Sequence, residues 1–308
     1  MRVVTQREFG GPEVLQVIEA ARPVPGPTEV LVRVHAAGIN PVDWKSRAHA
    51  VFLGEPPYTL GWDVSGVVEE AGFGATGVRE GDEVLGMPWF PREAAAYAEY
   101  VTAPSRHFVR KPAGISHAEA AGLPLAGLTA WQALVDVAGV QSGQRVLVDA
   151  AAGGVGHLAV QIAKARGAYV LGTASAAKHD FLRSIGVDEP IDYRDESATA
   201  ADVDIVLGLV GEDSDLRWLP SLAKGGLLVA VPGGVGEKAA AEASQRGVRA
   251  EGILVEPDQI GLLGLVELIE AGKLAVHVDQ AFPLEDVAKA HEVGESGRVT
   301  GKLVLTTI

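Results

Sequence analysis

Residues Arg145 to Lys164 constrain this chain more than any other stretch; they read RVLVDAAAGGVGHLAVQIAK. A short apolar strand, Arg145 to Val148, runs into Ala150-Ala151-Ala152-Gly153-Gly154-Val155-Gly156, and Leu158 and Ile162 then fall at helical spacing. A loop with so little side chain lets backbone approach a pyrophosphate closely. The first turn of the helix that follows offers unpaired N–H groups and the positive end of its dipole. Gly156 lets the helix pack close against the strand. A glycine triplet alone is an ordinary turn, but the strand before it and the helix after it are the context a dinucleotide site requires. The contacts expected there are Ala152, Gly153, Gly154, Val155 and Gly156.

The surrounding pattern agrees. From about residue 118, strand and helix signals alternate: strands at Tyr169 to Thr173, Pro190 to Asp192, Val203 to Leu209, Gly226 to Val231 and Gly252 to Val255, helices at Lys178 to Ile185, Asp215 to Leu222 and Glu237 to Arg246. That alternation predicts a parallel, doubly wound sheet of about six strands over 118–256. Ala118 to Val137 reads as a helix broken at Pro124 and Gly127. The segment 1–117 has a different texture. Val30, Val32 and Val34 alternate with Leu31, Arg33 and His35, the period of a half-buried strand. Val64 to Glu69, Glu83 to Leu85 and Ala98 to Thr102 give further short strands between Gly/Pro turns, predicting a β-rich, barrel-like module. The tail from 257 to 308 adds helices at Ile260 to Ala271 and Leu284 to Val293, then a strand, Lys302 to Thr306. The fold class expected is α/β in two domains.

Composition narrows the function. Of 308 residues, 47% are hydrophobic and 21% charged, enough for a real core and against dominant disorder. The formal charge of 26 − 40 = −14 argues against nucleic-acid or membrane-surface partners. There are no cysteines, which removes disulfides, thiolate metal sites and thiol nucleophiles together. No apolar run reaches the ~18 residues of a membrane span, and no secretory signal is visible, so a soluble, cytoplasmic protein is expected.

Dinucleotide folds that prefer NAD place an Asp or Glu at the end of the second strand, about twenty residues on, to bond the ribose 2′-OH. Here that position falls on Gly172-Thr173-Ala174-Ser175, with no acid. Ser175 and Lys178 are near, and Tyr193 follows the third strand. A hydroxyl, an ammonium and a phenol suit a 2′-phosphate. One charge pair at about 4 Å is worth roughly 4 kcal/mol at an effective dielectric near 20, before exposure weakens it. Even a third of that would decide the preference, so NADPH is the expected cofactor.

The whole chain resembles the zinc-independent quinone oxidoreductase branch of the medium-chain dehydrogenase/reductase superfamily, the zeta-crystallin-like group. The resemblance rests on Ala36-Ala37-Gly38-Ile39-Asn40-Pro41-Val42-Asp43, Gly61-Trp62-Asp63-Val64-Ser65-Gly66-Val67-Val68 and Gly81-Asp82-Glu83-Val84. It continues through Leu123-Pro124, Gly127-Leu128-Thr129-Ala130, the Gly143 to Lys164 segment and Gly301-Lys302-Leu303-Val304-Leu305. It implies a GroES-like catalytic domain, 1–117 completed by 257–308, and a Rossmann dinucleotide-binding domain, 118–256. Zinc-dependent relatives carry cysteine where this chain has Asn40, and Gly-His-Glu where it has Gly61-Trp62-Asp63. No metal is therefore expected, and without that Lewis acid alcohol oxidation loses its chemistry. What fits is hydride transfer from NADPH to an electron-poor quinone or α,β-unsaturated carbonyl.

In that register, Asn40 begins the active-site loop, as a partner for a ribose hydroxyl or substrate oxygen, or as a turn residue before Pro41. Lys45 is the candidate donor to a developing oxyanion and Tyr58 an alternative. Trp44, Phe52, Trp62 and Trp89 are candidate walls of an apolar substrate pocket. Thr129 is where relatives approach the nicotinamide. Val210-Gly211 and Gly233 follow later strands, at whose carboxyl ends ligands bind; Thr173 belongs to the same rim. Leu254 and Lys302 are cofactor contacts by resemblance only. Arg249 to Val255 would form a sheet edge that in relatives pairs across a twofold axis, so a homodimer is expected. Two other functions remain open: an enoyl or enone reductase dedicated to one biosynthetic substrate, and an NADPH-binding structural or regulatory protein without catalysis.

Overall fold

A computed structural model describes residues 1–307. The chain forms β1 (Arg2–Thr5), β2 (Gln16–Glu19), β3 (Glu29–Ile39), α1 (Pro41–Ala48), β4 (Val64–Ala71), β5 (Glu83–Gly86), β6 (Tyr100–Pro104), β7 (Phe108–Arg110), α2 (His117–Ala121) and α3 (Pro124–Trp131). It continues with β8 (Arg145–Val148), α4 (Gly156–Ala165), β9 (Tyr169–Ala174), α5 (His179–Ser184), β10 (Glu189–Asp192), β11 (Val203–Gly208), α6 (Glu212–Trp218), β12 (Leu222–Ala230), α7 (Glu237–Arg246) and β13 (Arg249–Gly252). Last come α8 (Gln259–Glu270), β14 (Val278–Pro283), α9 (Val287–Glu295) and β15 (Lys302–Thr306). Two compact units result. One holds Met1–Leu128, Glu256–Glu270 and the chain from Val276 onward; the other holds Thr129–Val255 and Ala271–Ala275.

The first unit is built on a mostly antiparallel sheet in the order β14-β15-β3-β4-β5-β7, with β6 also pairing with β3. A small β1-β2 ribbon stands beside it. β3 is the hub: β15, β4 and β6 all pair with it. This explains a departure from the alternation expected for a half-buried strand. Leu31 is as fully buried as Val30, Val32 and Val34, because β3 is covered on both faces.

The second unit has six parallel strands in the order β10-β9-β8-β11-β12-β13. Read from the first strand in the chain, that is the 3-2-1-4-5-6 order of dinucleotide-binding sheets, with a switch point between β8 and β11. Its core gathers Leu147, Leu171, Val206 and Leu228 from the strands against Trp218, Leu219, Ala239 and Ala243. The outermost strand covers Arg249–Gly252, so Ile253 to Val255 run on outside any strand.

The helix after residue 117 does break at Pro124, where α3 starts, but not at Gly127, which lies inside α3. Gly127 permits a close contact instead: a Cβ there would meet Leu265 Cδ1 at 2.8 Å and Leu123 Cδ1 at 3.0 Å. The cost of glycine in a helix is offset by the packing it admits. Gly127→Val should therefore destabilise the protein by about 1–3 kcal/mol in urea unfolding. An unchanged midpoint would show that the α3–α8 contact is loose.

Candidate functional site

The second unit supplies a phosphate cradle. β8 ends at Val148, and Ala150 takes a left-handed turn (φ 47°) that opens the loop into α4. Gly156 starts α4, where a Cβ would lie 2.3 Å from the Ala150 carbonyl oxygen and 2.7 Å from Ala151 Cα, so only glycine allows this closure. Gly172 plays the matching part on β9, where a Cβ would lie 2.9 Å from that of Ala151. No side chain caps α4 and no acidic residue lies in its first turn, so its positive end is left for an external anion. Ala152 is buried, and Gly153, Gly154 and Val155 are partly exposed at the mouth of the loop. These residues fit a dinucleotide pyrophosphate.

The rim is drawn from the carboxyl ends of the strands, as expected. Val210 and Gly211 follow β11, Gly233 follows β12 and Leu254 follows β13; Val210 and Leu254 are exposed. Ser175 follows β9, Lys178 stands at the start of α5 and Tyr193 follows β10, bringing a hydroxyl, an ammonium and a phenol to adjacent strand ends. Thr129 is buried inside α3.

Thr173 needs correction as a cofactor contact. Its buried hydroxyl donates to Asp149 Oδ1 at 2.5 Å and accepts from the Ala150 N–H at 2.9 Å. Its hydroxyl is committed to holding the loop. The sequence reading also missed charges around Tyr193. Asp192 ends β10 and its carboxylate accepts from the N–H groups of Ala176 (3.3 Å) and Arg194 (3.0 Å). Arg194 lies over the Tyr193 ring, and Arg217 donates to the Tyr193 and Asp195 carbonyls. Two guanidiniums therefore stand by Tyr193, among the carboxylates of Asp192 and Asp195. The local acidic pattern of the segment hid them.

The first unit holds a buried polar cluster. Asn40 is the N-cap of α1; its backbone N–H donates to Asp43 Oδ2 at 2.6 Å. Its side-chain Nδ2 donates to Asp63 Oδ2 at 2.8 Å, and its Oδ1 accepts from Lys302 Nζ. Lys302 also donates to the Ile39 carbonyl at 2.8 Å and lies 3.6 Å from Asp63 Oδ2. Asp63 Oδ1 accepts the Leu125 N–H at 2.6 Å, at the start of α3. Gly38 makes room: a Cβ there would lie 2.7 Å from Asp63 Oδ2. Burial pushes the Asp63 carboxyl up and the Lys302 ammonium down, and each opposes the other's shift. Burial raises Asp43 to about 7, against the Asn40 N–H and Tyr97 hydroxyl, which favour its ionised form.

Lys302 is therefore corrected from a cofactor contact to the cation that holds Asn40, because its buried ammonium already has protein oxygens around it. Lys45 is exposed, on the side of α1 away from buried Asp43 and Arg47, and does not join Asn40. Tyr58 is corrected too. Its hydroxyl donates to the Ser46 carbonyl at 2.6 Å and accepts from Gln6, and burial, with Glu55 and Glu93, pushes it up to about 12, away from proton donation. Among the aromatic residues, Trp62 is fully buried, with its Nε1 donating to the Arg92 carbonyl, so it is core and not a pocket wall. Trp44 lies against Gly294 of α9. Trp89 donates to the Thr102 carbonyl and packs edge-on to His107. Phe52, the most exposed of the four, meets Phe90 edge-on.

Comparison with known proteins adds to this geometry. The alcohol dehydrogenase GroES-like domain family matches residues 26–113, and the zinc-binding dehydrogenase family matches residues 185–305. Human quinone oxidoreductase is 33% identical over 325 residues, covering 99% of this chain and 97% of the relative. The quinone oxidoreductase of Coxiella burnetii superposes with a TM-score of 0.94 at 37% identity, over 100% of this chain and 99% of that one. Escherichia coli quinone oxidoreductase complexed with NADPH gives a TM-score of 0.89 at 30% identity, over 99% of this chain and 100% of that one. No helix among the described residues is long and apolar enough to cross a membrane.

One carboxyl near the cradle works against stability. Asp215 is buried over Gly208 at the end of β11, and neither of its oxygens has a hydrogen-bond partner. Burial, then Asp149 and Glu212, raise it to about 6. A carboxyl whose folded value is raised contributes stability below its unfolded value of 3.8 and loses it as pH climbs through about 6. Asp215→Asn should therefore raise stability by about 1–2 kcal/mol at pH 8 and change it little at pH 4, measured by urea unfolding. A gain of equal size at both pH values would mean that ionisation of Asp215 is not its source.

Proposed function

The chain belongs to the zinc-independent quinone oxidoreductase branch of the medium-chain dehydrogenase/reductase superfamily, and from that premise we propose that it is an NADPH-dependent reductase of quinones or α,β-unsaturated carbonyls. The observation that carries this reading is the uncapped N-terminus of α4 behind a side-chain-poor loop, at the switch point between β8 and β11. Ser175, Lys178 and Tyr193, with Arg194 and Arg217 close to Tyr193, favour a 2′-phosphate over a bare ribose. When bound, the reduced dinucleotide supplies a hydride.

The protein's part is orientation and hydrogen bonding. Asn40 has one Nδ2–H held by Asp63 and a second left to donate. Lys302 on Oδ1 fixes the amide the right way round and polarises it, which strengthens that second N–H as a donor. A donor of this kind steadies negative charge as it gathers on a conjugated oxygen. A localised alkoxide from alcohol oxidation calls for a Lewis acid, and at the positions where zinc-dependent relatives carry cysteine and histidine this chain has an amide and a buried indole. Activity is therefore expected to persist after chelation. Pairing through the outer edge of β13 into a homodimer belongs to the same reading.

The direct test is a panel of quinones, short enones and enals, following NADPH consumption by the purified protein. Turnover of both classes supports the reading. Activity confined to a single enone would favour a dedicated biosynthetic reductase. Tight NADPH binding with no acceptor turned over would favour a non-catalytic protein. Lys178→Glu should raise the KM for NADPH at least tenfold more than that for NADH, the equivalent of about 1.4 kcal/mol. Equal changes would remove the 2′-phosphate assignment. Asn40→Ala should lower kcat more than Lys45→Met does; the reverse order would return the donor role to Lys45.

A further inference from the structure

The buried cluster that holds Asn40 does not balance its charge. Asn40 joins all of its members directly. Its backbone N–H donates to Asp43 Oδ2 at 2.6 Å, its Nδ2 donates to Asp63 Oδ2 at 2.8 Å, and its Oδ1 accepts from Lys302. All four residues are buried. Two carboxyl groups therefore share one ammonium around a single asparagine, and with both ionised one negative charge is left over. The two are not equally provided for. Asp63 takes the Asn40 amide and the Leu125 N–H, and has the Lys302 ammonium at 3.6 Å. Asp43 takes the Asn40 N–H on Oδ2, while its Oδ1 has no hydrogen-bond partner.

That asymmetry decides which carboxyl keeps a proton. An unpaired buried charge costs far more than an unpaired buried hydroxyl. A proton on Asp43 Oδ1 removes the surplus charge, and Oδ2 goes on accepting from Asn40, since the remaining oxygen of a carboxylic acid is still an acceptor. Asp63, beside the ammonium, stays ionised. Burial raises Asp43 to about 7; Asp63 adds to the rise, while the Asn40 N–H, Tyr97 and Lys302 oppose it. Tyr97 is itself neutral, because burial pushes its hydroxyl well up. The other charged groups nearby are turned elsewhere. On α1, Lys45 is exposed, and Arg47 bonds the Glu295 carboxylate of α9 at 2.7 Å. His291 of α9 is held neutral, down at about 3, by burial and by Arg47, whose Nη1 lies 3.3 Å from its Nδ1.

We propose that Asp43 is a positioning residue for Asn40 whose proton sets the charge behind the donor: with it the cluster is neutral, and without it an anion stands one hydrogen bond from Asn40. This rests on the reading of Asn40 as the donor, and deepens it. Such an anion opposes the negative charge gathering on an acceptor oxygen at the Asn40 amide, and burial leaves that opposition poorly screened. The hold on the Asn40 backbone survives in both states, so the loss falls on the rate. A carboxyl keeps its proton below its midpoint. The donor is therefore strongest below about 7 and weakens as pH climbs past it. A residue that only capped α1 would change stability without shaping the pH profile.

The test follows kcat with NADPH and a quinone from about pH 6.5 to 9, in the wild type and in Asp43→Asn, which has the shape of the protonated acid and cannot ionise. The wild type should lose about tenfold over that range, whereas kcat of Asp43→Asn, whatever its level, should change less than about twofold. Amide NMR of the whole wild-type protein reads the same event without turnover and without the variant. The Asn40 N–H bonds Asp43 directly, so its resonance should shift with a midpoint near 7, and in Asp43→Asn it should stay still over this range. A flat wild-type profile, the same falling limb in Asp43→Asn, or an Asn40 resonance that does not titrate in the wild type overturns the proposal. Failure of the functional reading looks different: no acceptor is consumed at any pH, while the Asn40 resonance still titrates.

Discussion

The ammonium of Lys302, held out of water among the Ile39 carbonyl, Asn40 and Asp63, is the interaction on which the first unit turns. Burying a lone charge costs several kcal/mol, and only close oxygens offset it. Those oxygens come from distant parts of the chain. The antiparallel register that sets Leu303 opposite Ile39 brings Lys302 to the end of β3. Asp63 enters just before β4 and reaches on to the Leu125 N–H, so one carboxylate ties β3, β15 and the start of α3 together. Gly38 is small because Asp63 needs the space beside it. A residue far along the chain thereby fixes the orientation of Asn40, near its start.

The second unit solves a different problem. An anion must be met without side-chain charge in its way, so the loop after β8 is reduced to alanine and glycine and the helix end is left uncapped. What stiffens that loop lies behind it. Asp149 takes hydrogen bonds from Thr173, Ser214 and the Ala150 N–H, joining the ends of β8 and β9 to the start of α6. Donors aimed at a phosphate are worth most when they need not reorganise, and this partly buried group of side chains holds the backbone that carries them.

The cradle was legible in the sequence because its determinants are local: a strand, a run of small residues and a helix in order. The six-stranded parallel sheet was legible for the same reason. The polar cluster around Asn40 was not, because its members lie far apart in sequence and each looks ordinary alone. Lys302 read as a cofactor contact and Tyr58 as a proton donor, since sequence shows a side chain's chemistry but not which neighbours already hold it. Thr173 failed in the same way. β3 departed from its alternating pattern because both of its faces are covered, and no local period reports that. His291 and Arg47 carried no signal at all; only the packing of α9 against α1 makes them partners.

The most direct measurement of the central claim is a double-mutant cycle on Lys302 and Asp63, using Lys302→Met, Asp63→Asn and the pair together in urea unfolding. A charged buried pair predicts that each single change is strongly destabilising, while the double change costs less than their sum by about 2 kcal/mol or more. Additive losses would contradict it, and with it the view that Lys302 organises the site around Asn40.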